Sequence, residues 1–557
     1  MPTAASSSGR SRRRIVTVFL GFCCSFISLA EAAAQRRERV VDAWRPLHYD
    51  VMIALDDRLS AINRATTQIQ ARILKNDVQS IDLDFGELKV DSVKVDDQPA
   101  RSERKPDRLD ISLAQPAKAG EQVNITVTYH GRPKDGLILA TDRDGKPSAT
   151  GDNWPDRVHQ WIPCLDHPSA KATVTFTITA PSRDSVVANG RFENAAKNSE
   201  GTTTWKFEEA KPIPPYCMVI AVSEGMKLDA SEPTVTPLSY YVPRVDSSYA
   251  RKGFSPAAPA LAFFSETVAP YPYEKLALII GATRFGGMEN SGAIVFMSTL
   301  FDLRTDEPMS AHFGIPTRIE DVVSHEIAHQ WFGDTVTEST WADLWLSEGF
   351  ATYFAGLFIE KFDGEEAFRE YMRRAAERYF EYERQRRTPI HDTKTEDLSQ
   401  LLNPNNYEKA AWVLHMLRSR LGDEAFFQGL RGYYTAHRDG NATAEDLRDA
   451  LEKASGQKLG DFFTRWVYGS GHPKYELSWT WKNHAPGGGT LSITLRQNQA
   501  GEAFLDPLPV EISTAHGKQR AIIQPSGKVT VQKVLASKPT HVQIDPNETI
   551  LREVVMR

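Results

Sequence analysis

The stretch SHEIAHQWFG, residues 324–333, decides the fold of this chain because it contains the pattern His-Glu-x-x-His. On a helix, residues four apart share a face, so the imidazoles of His325 and His329 can bind one metal ion. Glu326 is rotated by about 100° from His325, so its carboxylate misses the ion and can reach a water molecule bound to it. Two imidazoles that bind and a carboxylate that accepts a proton suit metal-assisted hydrolysis. The pattern therefore predicts a zinc site on a helix.

The residues around this pattern extend the prediction along the chain. The sequence PTRIEDVVSHEIAHQWFG (316–333) predicts one helix, with Thr317 and Glu320 as a capping box at its start and Gly333 at its end. Catalytic zinc usually has three protein ligands and one open position. Glu348 lies nineteen positions after the second histidine, in the helical stretch WADLWLSEGFATYF. A carboxylate among so many apolar side chains needs a partner, which makes Glu348 the predicted third ligand.

The amino terminus has the order of a secretory signal peptide. Four arginines lie among residues 10–14, an apolar run covers residues 15–29, and small residues precede Gln35. This order predicts a signal peptide over residues 1–34 and export to the periplasm or the extracellular space. The alternative is an uncleaved anchor, but a run of about 15 apolar residues is short for a span of roughly 20. No later stretch is apolar enough to cross a bilayer, so we expect no membrane span in the mature chain.

Composition and charge limit the classes of partner. The chain is 41% hydrophobic and 25% charged, and its formal net charge is −6, which argues against nucleic acid or an anionic membrane surface as the main partner. Only Cys164 and Cys217 remain after the signal peptide. An exported chain could join them, but two cysteines in so large a protein are more often buried thiols, and we favour that interpretation.

The pattern of apolar residues divides the mature chain into three parts. Period-two alternation, as in QVNITVTYHG, predicts a β-rich domain over residues 35–243. Amphipathic helices dominate residues 244–472, where two strand-like runs, KLALIIG and GAIVFMS, flank a glycine-rich turn. Alternation returns over residues 473–557 and predicts a small β-sandwich. A chain of 557 residues is too long for one core, which agrees with several domains.

These motifs together resemble a known family. The pattern HEIAH, followed by eighteen residues and a glutamate in WLSEGFA, is similar to the gluzincin aminopeptidases, the family of aminopeptidase N and leukotriene-epoxide hydrolase. Further stretches resemble this family along nearly the whole mature chain: WRPLHYDV (44–51), IPCLDHPSAKATVTF (162–176), FGGMENSG (285–292), NNYEKAAWVLHMLR (405–418) and FFTRWVYGSGHPKYEL (462–477).

The resemblance implies a fold and a division of roles. The fold is a multidomain α+β fold with an N-terminal all-β, saddle-like domain, a thermolysin-like, mostly helical catalytic domain and a small C-terminal β-sandwich. One zinc ion (Zn²⁺) per chain would be bound by His325, His329 and Glu348. Glu326 would act as the general base, and Tyr407 would stabilise the carbonyl oxygen. The substrate-binding motif would comprise Gly286, Gly287, Met288, Glu289 and Asn290, with Glu289 holding the free α-ammonium group.

Several positions depart from the family pattern. The chain ends after the small β region, so the resemblance predicts a short member without the large helical C-terminal domain and with a more open cleft. Trp154 stands where the family often has Gln or Glu, with Asp152 nearby, so amine recognition is expected to differ. Ser347 replaces the usual asparagine before the ligand glutamate, and Ala410 replaces a usual glycine after the tyrosine.

The leading interpretation is a zinc-dependent aminopeptidase that acts on peptides with a free N-terminus. A zinc endopeptidase of the thermolysin type would share the metal chemistry but has no need of Glu289. An epoxide hydrolase of the leukotriene hydrolase type would use the same metal on a lipid, and a non-catalytic scaffold is the outside class. Other histidines, such as His48, His167 and His415, are expected to be structural or exposed. The sequence leaves the oligomeric state and the residue preference open.

Overall fold

We analysed a computed structural model of the chain, which describes residues 36, 38–231, 233–304, 318–485 and 487–557. The predicted signal peptide, residues 1–34, lies outside the described residues. So does Thr317, the expected first residue of the capping box.

The first part of the described chain consists mainly of strands. Their bounds are β1 (Trp44–Leu55), β2 (Ile62–Ile73), β3 (Val78–Asp84), β4 (Lys89–Val95), β5 (Gln98–Pro99), β6 (Ser102–Lys105), β7 (Arg108–Ala117), β8 (Gln122–Gly131), β9 (Leu137–Thr141), β10 (Pro147–Gly151), β11 (Ala172–Pro181), β12 (Ser185–Ala188), β13 (Arg191–Lys197), β14 (Thr202–Ile213), β15 (Ile220–Ser223), β16 (Met226–Asp229) and β17 (Leu238–Val242). The largest sheet has the order β13-β14-β11-β1-β2-β8-β4-β5, and smaller sheets have the orders β12-β15-β10-β9 and β3-β7-β6.

Alternation of side chains explains these sheets. In β1, Tyr49, Val51 and Ile53 are buried, and residues between them are more exposed. One face of the strand therefore packs on the core and the other faces outward, as the period-two pattern predicts. The strand pairs in parallel with β11 and antiparallel with β2.

A five-stranded sheet joins the β-rich part to the helical part. Its order is β16-β17-β18-β20-β19, where β18 is Leu276–Gly281, β19 is Gly287–Met288 and β20 is Ala293–Met297. All five residues of β20 are buried, as expected for an inner strand of a parallel pair covered on both faces. The sheet crosses residue 243, where the sequence analysis divides the first two domains. That division stays a prediction.

The central part of the described chain is mostly helical. Its remaining elements are α1 (Ser247–Gly253), α2 (Ala257–Thr267), α3 (Ile319–His329), β21 (Val336–Glu338), α4 (Trp345–Asp363), α5 (Glu365–Gln385), α6 (Ala410–Leu421), α7 (Asp423–His437), β22 (Gly440–Ala442), α8 (Ala444–Ser455) and α9 (Gly460–Trp466). The first fifteen residues of α4 are all buried. A helix that is buried on every face lies inside the core, so α4 forms the rigid support behind the predicted metal ligands.

The last part of the chain forms two sheets. The strands are β23 (Lys474–Asn483), β24 (Gly489–Gln497), β25 (Leu508–Thr514), β26 (Gly517–Ile523), β27 (Lys528–Leu535), β28 (Pro539–Ile544) and β29 (Glu553–Met556), in sheets of order β27-β24-β23-β29 and β26-β25-β28. Buried side chains of this part, such as Leu477 and Val510, belong to the same hydrophobic cluster as the helical core. In the described part of the chain, no helix has the length and apolar character needed to span a membrane.

Candidate active site

Helix α3 carries both histidines and Glu326. It begins at Ile319, and the Asp321 carboxylate accepts a hydrogen bond from the Arg318 main-chain N–H at 3.2 Å. In the described residues, Arg318 has the extended backbone of a cap residue and Asp321 is its hydrogen-bonding partner. The expected capping box of Thr317 and Glu320 cannot be compared with this, because Thr317 lies outside the described residues. The helix ends at His329, and Gly333 (φ 125°) lies in the turn that follows it rather than at its end.

The three predicted metal ligands converge on one point. The Nε2 atoms of His325 and His329 are 3.1 Å apart, and each lies 3.3 Å from Oε2 of Glu348. Ligands about 2.0–2.2 Å from a tetrahedral zinc ion are separated by roughly 3.4 Å. Oε2 of Glu348 is also buried without a hydrogen-bond partner among the described residues. The three side chains therefore fit a zinc ion in both donor type and spacing.

The orientation of the His329 ring is fixed by contacts to Nδ1, the ring nitrogen that faces away from the cluster. Its Nδ1 lies 3.2 Å from the Phe332 carbonyl oxygen and 3.0 Å from the Ser347 hydroxyl, which leaves Nε2 directed at the ligand cluster. A Cβ on Gly333 would lie 2.4 Å from the Ser347 hydroxyl, so glycine is needed for this close packing. The role of Ser347 was not apparent from the sequence, although its position beside Glu348 singled it out.

Glu326 faces the strand β19. A Cβ on Gly287 would lie 2.3 Å from the Glu326 carboxyl carbon, so only glycine at this position lets the strand approach the carboxylate. Burial raises the pKa of Glu326 well above the usual value, while His329 opposes this shift. A buried carboxylate with a raised pKa is suited to accept a proton and pass it on.

The turn that carries Glu289 is fastened to the end of α3. The buried Gln330 donates a hydrogen bond from Nε2 to the Glu289 carbonyl oxygen at 2.7 Å and accepts one from the Gly292 N–H at 2.8 Å. The Glu289 carboxylate is itself buried, which raises its pKa to about 7. Ligand atoms of Glu289, Glu326 and His329 lie within 4.8 Å of one another. Gln330 thus ties the turn that carries Glu289 to the end of the helix that carries both histidines.

The other residues of this motif support the turn. Met288 packs in a hydrophobic cluster, the Gly286 carbonyl oxygen accepts a hydrogen bond from the Met297 N–H, and the Asn290 side chain donates to the Met288 carbonyl oxygen. The sequence analysis grouped all five residues as substrate-binding. Of these, Gly286, Gly287, Met288 and Glu289 line the cavity, whereas Asn290 is fully buried within the turn.

Tyr407 lies on a single π-helical turn, Asn405–Lys409, immediately before α6. Such turns are frequent at functional sites because they redirect one side chain. The Tyr407 ring stacks parallel to the His325 ring, with centroids 6.0 Å apart. A Cβ on Gly349 would lie 2.4 Å from Cβ of Ala410, so Gly349 lets α4 and α6 approach closely. This packing brings Tyr407 beside Glu348.

Trp154 and Asp152 have separate surroundings. Trp154 is 3% exposed and packs edge-to-face against Phe285 and Trp341, with centroid distances of 5.8 and 5.7 Å. The Asp152 carboxylate is fully buried, pairs with Arg157 at 3.0 Å and accepts a hydrogen bond from Thr283. Asp152 is therefore occupied by protein groups. Trp154 and Phe285 form an aromatic pair that lines the cavity.

The cavity at this centre has a volume of about 240 Å³. It is lined by both histidines and all three glutamates described above, together with Tyr407, Trp154 and Phe285. The imidazoles of two histidines and a buried glutamate carboxyl group at this cavity are ligand types that suit a zinc ion.

The remaining histidines named in the sequence analysis lie elsewhere. His48 contacts Thr173, His167 contacts Ser169 and Glu38, and His415 contacts Tyr353. These contacts agree with structural roles. Cys164 and Cys217 are both free and buried, as favoured from the sequence.

The fold and the spacing of two histidines and a glutamate are typical of a family of metallopeptidases. Two family models match: the Peptidase M1 N-terminal domain at residues 45–217 and the Peptidase family M1 domain at residues 254–466. The chain belongs to peptidase family M1.

Two proteins named as aminopeptidases are similar to this chain in sequence. "Probable aminopeptidase 1" of Saccharolobus solfataricus is 26% identical over 72% of this chain and 51% of its own length. "Aminopeptidase 2, mitochondrial" of Saccharomyces cerevisiae is 27% identical over 83% of this chain and 49% of its own length. The chain thus spans about half the length of these relatives.

A solved structure shares the fold. The M1 zinc metallopeptidase from Deinococcus radiodurans aligns with a TM-score of 0.65 and 24% identity, over 77% of this chain and 95% of that one. The predicted architecture, an N-terminal β-rich domain followed by a mostly helical catalytic domain, is therefore confirmed.

Proposed function

We propose that this protein is a zinc-dependent aminopeptidase that removes the N-terminal residue from peptides. The observation that carries the proposal is the buried Glu289 carboxylate next to the metal-ligand cluster, with Glu326 between strand β19 and the ligands. Family membership and relatives named as aminopeptidases support it. The chain spans only about half the length of those relatives. Their activity therefore does not transfer directly, and we propose it for this chain from its own site.

The metal would be bound by His325, His329 and Glu348, with one zinc ion per chain. When bound, zinc supplies a Lewis acid that polarises a carbonyl and lowers the pKa of a bound water to about 7. Glu326 accepts the proton of the attacking water and delivers it to the leaving amine. The Tyr407 hydroxyl donates a hydrogen bond to the carbonyl oxygen as negative charge develops on it.

Glu289 gives the reaction its position along the peptide. A protonated α-amine would pair with its carboxylate, and a charge-assisted hydrogen bond of this kind fixes both distance and direction. Since Gln330 ties the Glu289 turn to the end of α3, the first peptide bond is then held at the ligand cluster. The aromatic pair of Trp154 and Phe285 lines the same cavity.

The alternatives explain less of this geometry. An endopeptidase of the thermolysin type has no use for a buried carboxylate in the position of Glu289. A non-catalytic scaffold would not require the close approach of Gly287 to Glu326. An epoxide hydrolase shares the ligands, but no observation at this site favours a lipid.

We also propose that the protein is exported. This proposal is supported by the signal-like order of residues 1–34. N-terminal sequencing of the protein from a secreted or periplasmic fraction tests it: we expect Gln35 as the first residue, whereas an intact Met1 on membrane-bound material would favour the anchor.

The decisive experiment for the activity is a screen of aminoacyl 4-nitroanilides. We expect hydrolysis by the zinc-loaded enzyme, loss of hydrolysis with a chelator, and recovery when zinc is added back. Metal analysis should find about one zinc ion per chain. Full activity of the metal-free protein would contradict the proposal.

A further inference from the structure

The cavity continues past the metal ligands to a second wall. This wall is the face of α5 that carries Tyr371, Arg374, Ala375 and Arg378. Their spacing of three and four residues places them on one side of the helix. Asp321 and Val322, near the beginning of α3, line the same end of the cavity. None of these residues takes part in the chemistry proposed above.

Among the described residues, two of the charged groups at this end of the cavity form ion pairs, and Arg374 does not. Arg378 forms an ion pair with Glu408 at 2.7 Å, and the Asp321 carboxylate is bound by Arg318 at 3.1 Å. Arg374 is half-buried, and among the described residues no acceptor lies within hydrogen-bonding or ion-pair distance of its guanidinium group. Within the described part of the chain, this guanidinium group therefore lines the cavity without a hydrogen-bonding partner, and the Asp321 carboxyl, already bound by Arg318, is close enough to interact with its charge. Such a group is suited to bind a carboxylate through two parallel hydrogen bonds.

The length of helix α3 gives the approximate distance between the Arg374 guanidinium group and Glu289. Glu289 lies beside His329 and Gln330 at the end of α3, whereas Arg374 lies close enough to Asp321, near its beginning, to act on the charge of that carboxyl. Eight residues separate Asp321 from His329, which corresponds to about 12 Å along the helix axis. An extended peptide advances about 3.3–3.6 Å per residue. Two or three residues, with an ion pair at each end, span this distance.

We propose that Arg374 binds the C-terminal carboxylate of a short peptide, so that the enzyme is specialised for dipeptides and tripeptides. Glu289 holds the ammonium group at one end of the substrate, and Arg374 holds the carboxylate at the other. This inference rests on the proposed aminopeptidase function and adds the class of substrate. A carboxylate could also come from an acidic side chain in the second residue, and the experiment separates the two sources.

The experiment compares kcat/KM for alanyl-alanine and alanyl-alanine amide in the zinc-loaded enzyme. We expect the wild type to prefer the free acid by roughly 10- to 100-fold, the range for a hydrogen-bonded charge. Arg374→Gln should abolish this preference by lowering activity on the free acid alone, and Arg374→Lys should restore part of it. The control is Arg384→Gln, an exposed arginine of the same helix outside the cavity, which should behave as the wild type.

Three outcomes would overturn the inference. The wild type could cleave the amide as well as the acid, or Arg374→Gln could lower both activities equally, as expected for a structural role. A third outcome is a preference, dependent on Arg374, for alanyl-aspartic acid α-amide over alanyl-asparagine amide. Arg374 would then bind a carboxylate of the substrate side chain instead of the C-terminal carboxylate. Alanyl 4-nitroanilide has no carboxylate, so its cleavage by every variant shows that the aminopeptidase function is intact and that only the role of Arg374 is being tested. If no variant cleaves it, the proposed function itself fails.

Discussion

The two ends of the cavity are built in different ways. At the Glu289 end, the acidic group is buried and its turn is fixed by the hydrogen bonds of Gln330. At the Arg374 end, the charged groups are half-buried side chains on one face of α5. The first end is fixed by main-chain contacts and leaves little freedom, whereas the second depends on long side chains. The structure therefore combines a rigid cluster of histidines and glutamates with a wall of more adaptable side chains.

Substitution of Glu326 should have the largest effect at the rigid cluster. Glu326→Gln keeps the shape that packs against Gly287 but removes the proton acceptor, so kcat should fall by about 10²- to 10⁴-fold while zinc remains bound. Steady-state kinetics and metal analysis on the same preparation check this. Glu320→Gln, on the exposed face of the same helix, is the control. Retention of more than about a tenth of kcat would exclude the general-base role.

Removal of the Tyr407 hydroxyl should have the next largest effect. Tyr407→Phe keeps the ring that stacks on His325 and removes a hydrogen bond made in the transition state, so kcat should fall by roughly 10²- to 10³-fold with little change in KM. Tyr475→Phe, which removes a hydroxyl in the C-terminal β region, should change neither constant. A rise in KM alone would make Tyr407 a binding residue.

The close approach of β19 to Glu326 can be tested by adding one methyl group. In Gly287→Ala, the new Cβ would collide with the Glu326 carboxyl group, and a displacement of about 1 Å can lower kcat by roughly 10²-fold. Gly432→Ala adds a methyl group where no atom lies within 4 Å and should leave kcat unchanged. Equal kcat values for the two variants would mean that Glu326 tolerates displacement.

The smallest expected effect concerns the support of His329. Ser347→Ala removes one of two contacts to Nδ1, so zinc affinity should fall by about 10-fold, the lower end of the range for groups that orient metal ligands. Zinc competition with a chelator measures this directly. Ser324→Ala, whose hydroxyl bonds only to main-chain oxygens of its own helix, serves as the control. Unchanged affinity would show that the Phe332 carbonyl oxygen alone orients the ring.

The comparison also explains which parts of the molecule could be predicted from sequence. His325 and His329 were predicted as metal ligands from their helical spacing, and Glu348 from its place among apolar side chains. Tyr407 and Glu289 came from the resemblance to a family. By contrast, Gln330 and Ser347 act through contacts that exist only after folding, and no periodicity marks them.

The cavity-lining face of α5 could not be predicted from sequence for a related reason. The charged residues of α5 resemble the solvated face of an amphipathic helix, and Arg374 differs from Arg384 only by its place beside the cavity. The five-stranded sheet was missed because β16 and β17 follow directly on the β-rich part of the chain and resemble a continuation of it. The strand β18, which pairs with β17, lies after two helices of the central part, and strand pairing over such a distance has no local signature.

The measurement that tests the central claim most directly is the effect of an acetyl group on the substrate amine. The α-amine of a free peptide has a pKa of roughly 7.7–8.0 and is mostly protonated at neutral pH. Acetylation removes this charge and leaves the buried Glu289 carboxylate without a partner. We expect the wild type to cleave free peptides and to cleave their N-acetyl derivatives very poorly. We expect Glu289→Ala to lose much of its kcat/KM on free peptides and much of this discrimination. Efficient internal cleavage of an acetylated peptide by the wild type would contradict the account, since it would leave the metal centre intact and the aminopeptidase assignment wrong.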